Sequence, residues 1–156
     1  MPGGNDTNTG VSSNTIAASL KFNSMYTVFI SKDVEASRAF YTRWLNFEVV
    51  FASSWFVLLS TTGEHPVQIA FMLEDHPSSP PSPKAFSGDG AFLTFDVSDA
   101  AALYTSLKAA GAPISYHLKD EPWGQRRFAI TDPDGIWIDI VQQTQPVEGW
   151  WDQYMD

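Results

Sequence analysis

Asp132-Pro133-Asp134-Gly135-Ile136-Trp137-Ile138-Asp139-Ile140-Val141 reads as a tight turn followed by a strand. Pro133 pre-sets φ and Gly135 tolerates φ > 0, which is turn chemistry. After the turn, Ile136, Ile138 and Ile140 alternate with Trp137, Asp139 and Val141, the period of a strand with two different faces. Pro122-Trp123-Gly124 and the residues from Gln125 to Thr131 supply the strand before the turn. A buried carboxylate without a partner is costly. Asp139 therefore calls for a partner, a ligand or water, and Trp137 shares its face. Arg126 and Arg127 face opposite sides of their strand and read as structural salt-bridge residues, with Asp132, Asp134 or Asp139 as partners.

Working outward, the chain has 156 residues and is 44% hydrophobic, enough for one domain with a core. No run reaches the ~18 apolar residues of a membrane span, and no basic segment with an apolar core opens the sequence. There is no Cys, hence no disulfide framework, thiolate metal site or Cys nucleophile. These features are compatible with a cytoplasmic protein. The formal charge of −9 argues against non-specific nucleic-acid binding, which relies on Lys and Arg. It favours a cationic ligand at long range, although acidity also serves solubility alone.

Residues 1–22 are rich in Gly, Asn, Thr and Ser and read as a flexible tail. A strand is expected over 25–30, then a helix over 34–45 capped by Asp33 and stopped at Asn46. Three strands follow over 47–52, 55–61 and 66–73. Residues 75–89 form a Pro/Ser-rich linker. The pattern then restarts: a strand over 91–97, a helix over 100–110 capped by Ser98 or Asp99 and ended by Gly111, a strand over 113–118, a loop over 119–121, and the opening pair. Modules at 23–74 and 90–143 thus share the order strand, helix, three strands. They align at an offset of 66 residues, Tyr26 against Phe92 and Asp33 against Asp99, which points to a duplication of elements. Residues 144–156 form an aromatic tail with Trp150, Trp151 and Tyr154, expected to fold back over the protein or onto a second subunit.

The duplicated pattern, with Pro122-Trp123-Gly124, Asp132-Pro133-Asp134-Gly135 and the helix Asp33-Val34-Glu35-Ala36-Ser37-Arg38-Ala39-Phe40-Tyr41, resembles the glyoxalase / bleomycin resistance / extradiol dioxygenase superfamily, the vicinal oxygen chelate fold. The resemblance covers residues 24 to 143. It implies an α+β fold of two βαβββ modules forming an open cup of mixed β-sheet with helices outside. In metal-dependent members, four ligands, usually His, Glu or Gln, come from the first and last strands of each module. The matching positions are Tyr26, Gln68, Phe92 and Asp139. Phe offers no lone pair and Tyr would have to ionise, whereas a catalytic site needs about three protein ligands. No metal or other cofactor is expected. His65, His76 and His117 fall in a turn, the linker and an outer strand, away from these positions.

Those positions suit an aromatic pocket instead. Tyr26, Phe92 and Trp137 point into the cup if alternation holds, with Trp123 at the rim, Gln68 to donate and accept, and Asp139 as a fixed charge. The expectation is a metal-free small-molecule-binding protein of the bleomycin-resistance type. It would sequester an aromatic or cationic compound without turnover, as a homodimer with no nucleic-acid or membrane partner. The alternative is an enzyme of the superfamily, metal-dependent or metal-free, with Asp139 as ligand or general base and Tyr26 as acid.

Overall fold

The computed structural model of the chain describes residues 18–78 and 84–155. The expected tail at 1–22 lies outside the described residues as far as position 17, as does the 79–83 portion of the expected linker. The first half comprises β1 (Thr27–Ser31), α1 (Val34–Trp44), β2 (Glu48–Ala52), β3 (Phe56–Ser60) and β4 (Gln68–Leu73). The second comprises β5 (Leu93–Asp96), α2 (Ala100–Ala109), β6 (Ile114–Glu121), β7 (Gln125–Thr131) and β8 (Trp137–Gln143). A short 3-10 helix follows at Trp150–Gln153.

Each half forms a four-stranded sheet, in the orders β1-β4-β3-β2 and β5-β8-β7-β6. β1 is parallel to β4 and β5 to β8, while the other neighbours are antiparallel. The repeat is therefore one of topology, and the 66-residue offset carries β1 onto β5 and α1 onto α2. Both helices start as the sequence requires: the Asp33 carboxylate accepts from the Ala36 N–H and Asp99 from the Ala102 N–H, each at 2.9 Å. Asn46, at φ 56°, turns the chain at the end of α1.

Two local expectations change. Phe47 does not join a strand; it is buried among the core residues and meets the Phe95 ring at 6.0 Å. Lys119 to Glu121 continue β6 and do not form a loop. They pair with Arg127, Arg126 and Gln125 across two register shifts, and Asp120 holds Arg126 in a two-point ion pair.

Alternation sets two faces on each sheet. Phe29, Val57, Leu59, Ile69 and Phe71 face α1, while Phe128, Ile130, Ile138 and Ile140 face α2, all in one continuous buried cluster. Burying each such side chain contributes roughly 1.5–3 kcal/mol.

The Asp132–Gly135 turn joins the halves. Gly135 takes φ +83°, which its lack of a Cβ permits. Asp132 Oδ1 accepts the backbone N–H groups of Asp134 and Ile136 at 2.9 and 2.8 Å. Its Oδ2 accepts from the Tyr41 hydroxyl of α1 at 3.0 Å. The Asp134 oxygens accept from Ser31 (3.0 Å) and Ser37 (2.9 Å). Ser31, Ser37 and Tyr41 are fully buried and Asp132 nearly so.

Burial pushes the Asp132 carboxyl up to about 6. The backbone N–H of Ile136 and the Tyr41 hydroxyl oppose the rise, and the neighbouring Asp134 charge adds to it. Burial, then the charge of Asp132, drives Tyr41 upward, so it stays a proton donor.

The C-terminal tail folds back. Thr144 N–H donates to Gly124 O at 2.8 Å and Val147 N–H to Pro122 O at 2.9 Å. A Cβ on Gly124 would lie 2.9 Å from Thr144 O, so a larger residue would obstruct this crossing. The Trp150 ring then packs 5.7 Å from Trp123, and Trp151 Nε1 donates to Trp123 O at 3.1 Å.

The joint has a pH signature. Because the folded pKa of Asp132 lies above its ordinary value, protonation favours the folded state. That stabilisation is complete below about pH 4 and is lost as pH rises through about 6. A shift of about two units amounts to about 3 kcal/mol. Urea unfolding of the wild type and Asp132→Asn from pH 4 to 7 should show wild-type stability falling relative to the variant by that order. Parallel curves would contradict the assignment.

Candidate ligand-binding site

The register of the β7–β8 pair places the polar groups. Thr131 pairs with Trp137, Ala129 with Asp139 and Arg127 with Val141. Residues at every second position share a face, so Trp137, Asp139, Arg127 and Ala129 all lie opposite the helix-facing Ile138, Ile140 and Phe128. This face borders a cavity of about 530 Å³, lined by Arg127, Trp137, Asp139, Phe92 and the approach to β5 at Gly88, Gly90 and Ala91.

Arg127 is the hub. Its Nε donates to Glu121 Oε1 at 3.1 Å and its Nη1 to Asp139 Oδ2 at 2.9 Å. Its guanidinium carbon lies 5.0 Å from the Tyr116 ring centre and 5.1 Å from that of Trp123, within cation–π range. Trp137 Nε1 donates to Asp139 Oδ1. Glu121, nearly fully buried, also accepts from the Tyr116 hydroxyl at 2.6 Å and lies 3.6 Å from Lys119 Nζ. Burial acts to raise the Glu121 carboxyl, but Tyr116, Arg127 and Lys119 outweigh it and hold the group below the usual carboxylate range.

The six residues singled out from the sequence fall into two groups. Phe92, Trp137 and Asp139 border the 530 Å³ cavity, and Trp123 reaches it through Arg127. Tyr26 and Gln68 line a separate cavity of about 220 Å³ with Phe47, Ile69, Leu93 and Phe95. Within one chain the two groups do not share a cavity. Arg127 was read as a salt-bridge residue with Asp139 among its candidate partners, and it makes that pair, but it was not counted with the site; Tyr116 and Glu121 were missed. Counting back from the turn would have put Arg127 on the Asp139 face; the bulged β6 gives no such count for Tyr116 and Glu121.

Of the four positions that match metal ligands, Phe92 has no donor atom. Tyr26 and Gln68 line the other cavity, and Asp139 is occupied by Arg127 and Trp137. The donor set does not fit a divalent ion. Among the described residues, no group of three His, Asp or Glu is placed to hold one.

The model of the glyoxalase/bleomycin resistance protein/dioxygenase superfamily matches residues 25–140. The chain belongs to this superfamily. No curated protein matches it. Among solved structures, a virulence protein of Salmonella typhimurium superposes with a TM-score of 0.63 at 21% identity, covering 80% of this chain and 99% of that one. A glyoxalase/bleomycin resistance protein/dioxygenase from Nocardioides gives 0.63 at 19%, covering 87% and 91%. A lactoylglutathione lyase from Agrobacterium tumefaciens gives 0.59 at 20%, covering 76% and 92%. At these identities the likeness is one of fold. The superfamily hosts different chemistries on one scaffold, so function rests on the site.

Arg127 is the cation for two buried carboxylates. Removing one partner of a buried pair costs about 3–5 kcal/mol. Arg127→Met should lower unfolding stability by that order, and adding Asp139→Asn should recover part of it in a double-mutant cycle. A loss of about 0.5 kcal/mol or less, the usual range for surface substitutions, would show that the hub carries no such role.

Proposed function

We propose that the protein is a small-molecule-binding member of the superfamily that holds a planar aromatic compound without turnover. The observation that carries this reading is the 530 Å³ cavity, with Phe92 and Trp137 on its wall and an Arg127–Asp139 pair beside them. The site is an open cleft, and its volume and few fixed polar groups among aromatic rings suit a small molecule. The cavity wall lacks the convergent donors of a metal centre, and Asp139 is held in a salt bridge, which makes it a poor general base. A panel of planar aromatic compounds, followed by Trp emission and thermal shift, should give saturable binding that weakens at least about tenfold in Trp137→Ala, as expected for loss of a stacking anchor. No saturable change across the panel would refute the reading.

The working form is a homodimer in this proposal. β2 is exposed along its whole length, and Tyr26, Val28, Val50 and Phe51 are 39–55% exposed around the first sheet. An apolar edge strand of this kind favours further pairing or packing. A second copy would cover it. Analytical ultracentrifugation should give twice the 17.3 kDa chain mass, and Phe51→Glu should shift the protein towards monomer. Sedimentation of the wild type at the single-chain mass would exclude the dimer.

A further inference from the structure

The 530 Å³ cavity has an unequal supply of donors and acceptors. Asp139 accepts one hydrogen bond on each oxygen, from Trp137 Nε1 and from Arg127 Nη1, and at 4% exposure its remaining lone pairs are little open to the cavity. Arg127 has spent one N–H on Glu121 and one on Asp139. A guanidinium carries five N–H donors in a fixed plane. Its Nη2 has no acceptor among the described residues. The carboxylate that an amine would seek is therefore already neutralised, and donors remain on the residue that neutralises it.

The local charges balance: Arg127 and Lys119 against Glu121 and Asp139. An approaching amine meets a charge already matched at 2.9 Å and would have to compete with the guanidinium. An approaching sp² oxygen meets unfilled N–H groups. The −9 charge of the chain disfavours anions at long range, but salt limits that field to about 8 Å. Contact hydrogen bonds to a guanidinium are among the stronger ones. The planar fork also prefers a planar oxygen partner, and Trp137 and Phe92 offer ring faces on the same wall.

We propose that the cavity takes a planar aromatic compound that presents a carboxylate or carbonyl oxygen to Arg127, not an amine to Asp139. Arg127 is then the specificity-determining residue. The proposal rests on the small-molecule-binding reading above and narrows it.

Three probes with one ring system test it by calorimetry at pH 7 in 0.15 M salt: 2-naphthoate, 2-naphthamide and 2-naphthylmethylamine. The two oxygen-bearing probes should bind at least about tenfold more tightly than the amine, the usual scale of a charge-assisted bond. Naphthoate ahead of naphthamide assigns a carboxylate; equal affinity assigns a neutral carbonyl. Arg127→Met should abolish the preference. If that variant does not fold, Asp139→Asn decides: it keeps Arg127 and frees a further donor, so naphthoate should bind several-fold more tightly. Amine binding equal to or tighter than naphthoate, lost in Asp139→Asn, would overturn the proposal. Silence of all three probes while another aromatic compound of the panel binds would overturn it too and leave the binding reading intact. Silence of the whole panel would remove both.

Discussion

The Asp132 carboxylate can stay buried only because its lone pairs are met from two directions. Two backbone N–H groups close its own turn, and the Tyr41 hydroxyl comes from the other half of the chain. One side chain thus shapes the hairpin and fixes it to α1. Asp134 adds the same constraint through Ser31 and Ser37. A buried polar network of this kind tolerates few alternative arrangements, since each broken bond leaves an unpaired group in a low-dielectric interior. The position of β8 follows from that joint. Trp137 lies two residues past Gly135, and strand alternation carries Asp139 to the same face.

The duplication kept the backbone of this joint but not its chemistry. The counterparts of Ser31, Ser37 and Tyr41 in the second half are Val97, Leu103 and Leu107. They line an apolar cleft of about 200 Å³ with Trp44, Leu45 and Phe95. The halves are therefore locked by hydrogen bonds on one side and meet through apolar groups on the other. The outer sheet faces diverge in the same way. The first carries Val28, Ile30, Leu58, Ala70 and Met72 at the alternating positions of β1, β3 and β4. The second carries Arg127, Asp139 and Trp137.

The fold was legible because its signals are local. Asp33 and Asp99 cap helices through their own side chains, and Asp-Pro-Asp-Gly makes its turn from its own backbone. The Ile136, Ile138 and Ile140 period needs no partner to be recognised, and the 66-residue offset orders the rest. What was not legible depends on pairing across strands. Lys119 to Glu121 look like a polar loop, yet cross-strand partners hold them in β6. Tyr26 corresponds to Phe92 by the offset, and strand register makes Gln68 the counterpart of Trp137 and Ala70 that of Asp139, but correspondence does not say which cavity of the folded chain each residue borders. Asp139 was legible as a buried acid needing a partner. The identity of that partner required the hairpin register, which puts Arg127 within 2.9 Å.

That partner explains how a position that resembles a metal-ligand site persists without the rest of the metal set. A carboxylate at 4% exposure needs a nearby positive charge, since its desolvation is otherwise too costly. A divalent ion meets the need only when several donors converge from different strands. A guanidinium meets it from a single residue on the adjacent strand, and its stem can pack along apolar walls. Once Arg127 supplies the charge, Phe92 has no requirement to offer a lone pair, and Tyr26 and Gln68 have none to converge on Asp139. The exchange also changes what the cavity presents. A bound ion would offer open coordination positions to a ligand, whereas Arg127 offers N–H donors in a plane, beside the rings of Tyr116 and Trp123. Recognition by such a group depends on the shape and acceptor placement of what it meets.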